Sequence, residues 1–429
     1  MRHIPIPSKL FIENRAKLIK HLKPSSVAVF HSNDLMPTSA DGTMPFKQHS
    51  DIYYLTGVAQ EETILLLCPD AQEERFREIL FLRETNDFIA TWEGHKLTKE
   101  QARQQTGIQS VYWLSDFKKI FHELAFQSEY IYLNTNEHLR ATIEVETRDA
   151  RFIEWTKKRF PLHRYERLSP IMHRLRAVKS STEIKLLQTA CDITEKGFRR
   201  ILGFVKPNVM EYEIEAEYIH EFIRNRSVGF AYTPIVASGA NSCVLHYIEN
   251  DKPCQDGDLL LMDIGAEYAG YCADMTRTIP VNGQFTPRQK AVYEAVLRVQ
   301  REAFQLLAIG NTWQNYHREV GQIMEKELID LKLLDATEVK NQNPKAPLYR
   351  KYFMHGTSHH LGLDVHDYGS IYHKFEAGMV FTCEPGIYIP EENIGIRLEN
   401  NIVITENGIQ DLMQNIPIEA DEIEELMNS

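Results

Sequence analysis

The residues best equipped for chemistry are acids and histidines set inside apolar runs of the C-terminal half. Asp263 interrupts residues 259–264 (LLLMDI), and Asp274 sits in the next run, YCADMTRTIPV. A buried carboxylate is costly unless it is paired or bound to a cation. A tight hairpin turning at Tyr268-Ala269, with no bulge, would set Asp263 directly opposite Asp274, their Cβ atoms about 4.5–5.5 Å apart. Two carboxylates that close repel strongly without a cation between them. A second cluster, HGTSHHLGLDVHD, begins at His355 and carries His359, His360 and His366. Imidazole is the commonest metal ligand, although Gly356 stands where the zinc-peptidase HExxH pattern requires Glu. Glu384 ends the apolar run MVFTCEPG, and Arg397 and Glu399 lie two apart in GIRLENNIVIT, so they share a strand face.

Each feature alone has an ordinary structural counterpart: turn aspartates, a surface histidine loop, a buried Arg–Glu pair. Together Asp263, Asp274, His359, Glu384 and Glu399 form an oxygen-rich set with one imidazole. Two bridging carboxylates in such a set would hold two divalent ions about 3.5–4 Å apart. Hard ligands of this kind suit Mn²⁺ better than a thiolate-loving metal.

These side chains need strands to hold them. From Gly257 onward β-rich runs dominate, interrupted by helical periodicity at 287–309 and 312–333. The first 170 residues read differently. Short β-branched or aromatic runs at 26–30, 63–68, 78–82 and 130–133 predict strands, and 97–105 and 137–160 carry helical periodicity. A long helix is predicted over 183–204, with hydroxyl residues around Ser181 capping it. The expected organisation is α+β, with a smaller α/β N-terminal domain at 1–174 and a catalytic domain at 175–429.

Composition narrows the function classes. With 48 Lys and Arg against 60 Asp and Glu, the net charge is −12, which disfavours nucleic-acid binding. An apolar fraction of 43% fits a folded globular chain. No run approaches the ~20 apolar residues of a membrane helix, and the N-terminus has no apolar signal region. Six dispersed cysteines without a CxxC pair suit reduced thiols. The expectation is a soluble cytoplasmic protein without nucleic-acid or membrane partners.

Several segments together resemble the proline-specific metallopeptidases of the pita-bread fold, especially the aminopeptidase P branch. IVASGANSCVLHY, containing His246, is similar to that family's substrate-histidine segment. MDIGAEYAGYCADMTRT, HGTSHHLGLDVHD, CEPGIY and GIRLENNIVIT resemble its metal-ligand segments in the same order, and SADGTMPFKQHSDIYYLTG resembles its N-terminal domain.

The resemblance implies that Asp263, Asp274, His359, Glu384 and Glu399 hold two divalent ions, with Asp274 and Glu399 bridging. Mn²⁺ is the preferred ion, with Zn²⁺ and Co²⁺ as alternatives. It makes His246, His355 and His366 active-site histidines outside the ligand set. Arg397 matches the family's strand arginine, and Asp41 the acid that reaches toward it. Trp92 and Tyr388 are implied to shape a proline pocket, with Trp92 acting across a subunit interface in some relatives, and Tyr232 resembles a tyrosine near the metals. The implied activity is removal of the first residue from peptides with an Xaa-Pro N-terminus, by attack of a metal-bridging hydroxide, with Glu384 shuttling the proton. A homodimer or homotetramer is implied. The alternatives are an Xaa-Pro dipeptidase (prolidase) and a non-catalytic pita-bread module that binds protein partners.

Overall fold

The computed structural model describes residues 2–429, which divide into two units. The N-terminal unit, Pro5–Arg176, is built on a six-stranded sheet. Its strands are β1 (Ser26–His31), β2 (Ile64–Leu67), β3 (Glu78–Leu82), β4 (Ser110–Trp113), β5 (Tyr130–Leu133) and β6 (Arg164–Arg167), in the order β4-β3-β2-β1-β5-β6. The β1–β2 and β2–β3 pairs are antiparallel, and the rest are parallel. The four apolar runs predicted as strands are the four central ones. The two strands not predicted, β4 (SVYW) and β6 (RYER), are the edges, and β6 buries none of its residues.

Helical periodicity over 137–160 overreaches. The helix is Arg148–Arg159, capped by the Thr147 side chain, which accepts from Ala150 N. The preceding stretch carries β-branched Thr142, Ile143 and Val145, which disfavour a helix. A buried ionic cluster joins two helices of this unit. Arg176 Nη1 lies 2.9 Å from Asp51 Oδ1, and Asn134 Nδ2 donates to Asp51 Oδ2 at 2.8 Å.

The second unit comprises Ala177–Ser429 with the first few residues of the chain, whose Ile4 N donates to Tyr268 Oη. Its strands are β7 (Gly229–Phe230), β8 (Ile235–Ser238), β9 (Leu259–Asp263), β10 (Ala266–Tyr268), β11 (Tyr271–Cys272), β12 (Thr276–Pro280), β13 (Val380–Cys383), β14 (Gly386–Ile389), β15 (Ile394–Arg397), β16 (Asn400–Thr405) and β17 (Gly408–Asp411). They form small antiparallel sheets, including β12-β9-β8 and β13-β16-β17 and the β14–β15 hairpin. Long helices at Ser181–Leu202, Glu211–Arg224, Pro287–Leu306 and Trp313–Asp330 accompany them. The first helix begins at a capping box in which Ser180, one residue before the predicted hydroxyls, exchanges hydrogen bonds with Glu183. No helix among the described residues is long and apolar enough to cross a membrane.

The expected hairpin turn shifts by one residue. Tyr268 pairs with Tyr271, so the turn is Ala269-Gly270, both with positive φ, as a two-residue hairpin turn requires. Asp263 therefore faces Thr276 in the ladder rather than Asp274. Moving a turn by one residue moves each partner by two, so Asp274 stays on the same face, one diagonal step away.

Candidate metal centre

Five strand ends and loops supply the donor set. Asp263 closes β9, Asp274 precedes β12, Glu384 follows β13, and Glu399 lies between β15 and β16. His359 lies outside regular structure but is tied to β13, accepting from Thr382 N through its own carbonyl. Further backbone bonds hold the donors in place: Glu384 N donates to Thr357 O at 2.8 Å and Glu399 N to Thr276 O at 3.0 Å. The buried Asn401 amide brackets Asp274, accepting from its N–H at 3.0 Å and donating to its carbonyl at 2.6 Å.

Asp274, His359 and Glu399 each offer a ligand atom, and these atoms all lie within 4.8 Å of one another. His359 Nε2 is 3.4 Å from Asp274 Oδ2 and 3.5 Å from Glu384 Oε1. His359 Nδ1 is 2.9 Å from the His360 carbonyl. A carbonyl only accepts, so Nδ1 carries a proton, which leaves Nε2 as the nitrogen turned toward the acids, where it could ligate an ion. Asp263 joins the group through its partners: Arg397 Nη2 donates to its Oδ2 at 2.7 Å and Tyr232 Oη to its Oδ1 at 2.5 Å.

The electrostatics fit a cation. Burial, reinforced by the charges of Asp274 and Glu384, pushes the Glu399 carboxyl well above its ordinary range. Burial also pushes Glu384 up to about 7, against the opposing pull of His359. Asp263 is raised by burial despite Arg397. Burial disfavours a charged His359, yet Asp274 and Glu384 outweigh it and raise its pKa. The charge arrangement that favours a proton there equally favours a divalent ion, and the donors are the hard oxygens and neutral imidazole that such ions take.

Around the acids runs a hydrogen-bonded network. Arg397 Nη1 donates to Tyr388 Oη at 2.9 Å, and Tyr388 Oη lies 2.8 Å from His355 Nε2. His355 Nδ1 is 2.8 Å from the Gly356 carbonyl, so Nδ1 is protonated and Nε2 accepts from Tyr388. Burial and the nearby Arg397 charge lower the His355 pKa to about 4, which keeps this ring neutral. Tyr388 is fully buried within the network. His366 stands edge-on to His359, ring centroids 4.6 Å apart, and is exposed. His246 is exposed as well. Asp41 and Trp92 belong to the N-terminal unit, and both are exposed.

Sequence reasoning missed three partners of the donors. Thr276 Oγ1 donates to Glu399 Oε2 at 2.7 Å and accepts from Arg397 Nε at 3.0 Å. Thr382 Oγ1 accepts from His359 N at 3.0 Å and donates to Glu384 Oε1 at 3.1 Å. Asn401 is the third. The signal was a period of two: Thr276 follows Asp274, Thr382 precedes Glu384 and Asn401 follows Glu399, each by two residues.

Comparison with known proteins agrees with this geometry. Residues 185–406 match the model of metallopeptidase family M24, and residues 11–132 match that of the aminopeptidase P N-terminal domain. The chain is 37% identical to an Xaa-Pro aminopeptidase of Haemophilus influenzae, over 99% of this chain and 98% of the relative. It is 34% identical to an Xaa-Pro aminopeptidase of Escherichia coli, over 97% of both. The structure superposes on aminopeptidase PepP of Pseudomonas aeruginosa with a TM-score of 0.90 at 31% identity, covering 99% of each chain. It superposes on proline aminopeptidase P II of Yersinia pestis with a TM-score of 0.88 at 33% identity, covering 98% of this chain and 99% of that one. The α+β architecture is thus a pita-bread domain preceded by an aminopeptidase P-type N-terminal domain. A donor set of four acids and one histidine on such a frame, in a chain matching the family model over more than half its length, has one conclusion: the chain belongs to metallopeptidase family M24.

Proposed function

We propose that this chain is a two-metal Xaa-Pro aminopeptidase, a hydrolase that removes the first residue from peptides with proline in second position. The observation that carries the reading is the convergence of Asp274, His359 and Glu399 within 4.8 Å, in a chain similar over nearly its whole length to Xaa-Pro aminopeptidases.

Asp263, Asp274, His359, Glu384 and Glu399 would hold the ions, with Asp274 and Glu399 shared. Divalent ions supply an ionised water near neutral pH and positive charge at the scissile carbonyl. Mn²⁺ is the ion this oxygen-rich set favours. Asp263 offers its negative charge to the substrate's free amine, which fixes cleavage after one residue. Glu384 Oε1 is held by Thr382, and its Oε2 takes the water's proton and delivers it to the leaving proline nitrogen. His246 and His366 donate to the substrate as charge develops on its carbonyl. Neutral His355 and Arg397 orient Tyr388 between them, at the wall of the proline pocket.

Six unpaired cysteines support a reducing, cytoplasmic setting. The helix Asp87–Glu93 buries none of its side chains and leaves Phe88 and Trp92 exposed, which supports assembly into a homodimer or homotetramer.

A panel of three substrates tests the reading: an Xaa-Pro dipeptide, an Xaa-Pro-Yaa tripeptide and the N-acetylated tripeptide, each assayed before and after exhaustive chelation. The tripeptide should be cleaved, the acetylated form spared, and all activity lost on chelation and restored by Mn²⁺. Turnover confined to the dipeptide would make the enzyme a prolidase. Equal cleavage of the acetylated peptide would remove the role of the free amine.

A further inference from the structure

His246 is exposed, and no hydrogen bond within the described residues holds its ring. It lies on an irregular arch between the short 3₁₀ turn Gly239–Cys243 and β9. A side chain that must meet a developing charge needs its position set to within about 0.5 Å, so something else must fix the arch.

Two buried side chains do so. Glu211, the first residue of the helix Glu211–Arg224, is fully buried. Its Oε1 accepts from Ser238 N at 2.8 Å and Ser238 Oγ at 2.7 Å, and its Oε2 accepts from Tyr247 Oη at 2.8 Å and Lys252 N at 3.0 Å. Four donors converge on one carboxylate, which satisfies a buried anion without a cationic partner. At the far end Asn250 Oδ1 accepts from Val236 N, and its Nδ2 donates to the Pro234 carbonyl, both at 3.0 Å. The arch is thereby fastened to β8 and the residue before it at Tyr247, Lys252 and Asn250, all on the C-terminal side of His246.

We infer that Glu211, acting through the Tyr247 hydroxyl, is the positioning residue for His246. Tyr247 is the next residue in the chain, and its ring is buried. One rigid peptide plane joins the two residues. With the Tyr247 ring and hydroxyl held, the residue next to His246 is anchored and the range of positions open to His246 is narrowed. The hydrogen bonds of Glu211 run to Ser238, Tyr247 and Lys252, none of them in the donor set. The inference rests on the reading of His246 as a substrate donor.

The test is a double-mutant cycle on the metal-loaded enzyme with an Xaa-Pro-Yaa tripeptide, measuring kcat, KM and metal content. Tyr247→Phe deletes one oxygen and leaves Glu211 three donors. It should lower kcat about ten-fold or more, since a misplacement near 1 Å costs up to about 10²-fold, with KM and metal content unchanged. In the His246→Ala background the same substitution should have no further effect on kcat. Glu211→Gln, isosteric but presenting an amide to the same donors, should behave likewise. If that variant does not fold, Tyr247→Phe decides alone. Normal kcat in Tyr247→Phe beside a slow His246→Ala overturns the positioning role and leaves that of His246 standing. An equal loss in both backgrounds also overturns it, because the effect then bypasses His246. Normal kcat in His246→Ala overturns both readings.

Discussion

Thr276 donates its hydroxyl to Glu399 at 2.7 Å while accepting from Arg397 at 3.0 Å, so one buried oxygen joins a donor acid to the strand arginine. Thr276→Val keeps the shape of the side chain and removes that oxygen, leaving Arg397 Nε without its acceptor. Outer partners of metal ligands typically govern affinity by about 10–100-fold. A chelator-competition titration should show a loss of that size in Thr276→Val. Unchanged affinity would mean the hydroxyl does not tune the acid.

Asp274→Asn and Glu399→Gln each remove one negative charge at nearly constant volume. Elemental analysis should find one ion fewer per chain in either variant, with the circular dichroism spectrum retained. Losing charge stabilisation worth several kcal/mol should slow turnover by about 10²-fold or more. A variant that keeps both ions and normal rate does not bridge.

The three histidines His246, His359 and His366 should separate by metal content. His246→Ala and His366→Ala should each lose about 10²–10³ in kcat, the usual cost of one transition-state donor, yet retain metal. His359→Ala should lose metal, because its Nε2 faces Asp274 and Glu384. Metal loss in either of the other two would redraw the division between ligands and substrate residues.

The N-terminal unit carries its own pH signature. Burial alone would raise the Asp51 pKa, but Arg176, His49 and the Asn134 hydrogen bond outweigh it and hold the carboxyl below its usual value. A depressed acid stabilises fully above its unfolded pKa of about 3.9. That contribution is lost as pH falls through the lower folded value. Asp51→Asn should therefore flatten the acid limb of the thermal-unfolding profile. At neutral pH it should cost about 3–5 kcal/mol by removing the carboxylate of a buried ion pair. An acid limb identical to wild type would exclude Asp51 as its source.

The donor acids were legible in the sequence because a carboxylate inside an apolar strand costs too much to be kept for packing alone. Their pairing was not, because the expected register is set by the two acids rather than by Gly270, the residue that marks the turn at Ala269-Gly270. The donor set is unaffected by that shift, because a displacement of two residues preserves the face. Thr276, Thr382 and Asn401 were hidden for a different reason: threonine is an ordinary strand residue, and only register reveals which hydroxyl meets which acid. Edge strand β6, RYER, carries no buried residue, so periodicity had nothing to register.

The dispersal of the donor set over five strand ends and loops also orders events during synthesis. Glu384 and Glu399 follow almost all of the chain, and Glu399 precedes β16, on which Asn401 brackets Asp274. A nascent chain emerging from the ribosome thus has no completed cage until its last sheet is made. An ion would then enter only after β15 and β16 have brought the acids together. Because the ion binds the folded cage and not the dispersed donors, its arrival shifts the folding balance by mass action. Metal supply should therefore control the yield of mature enzyme as well as its rate, which the recovery of folded chain with and without Mn²⁺ during synthesis would measure.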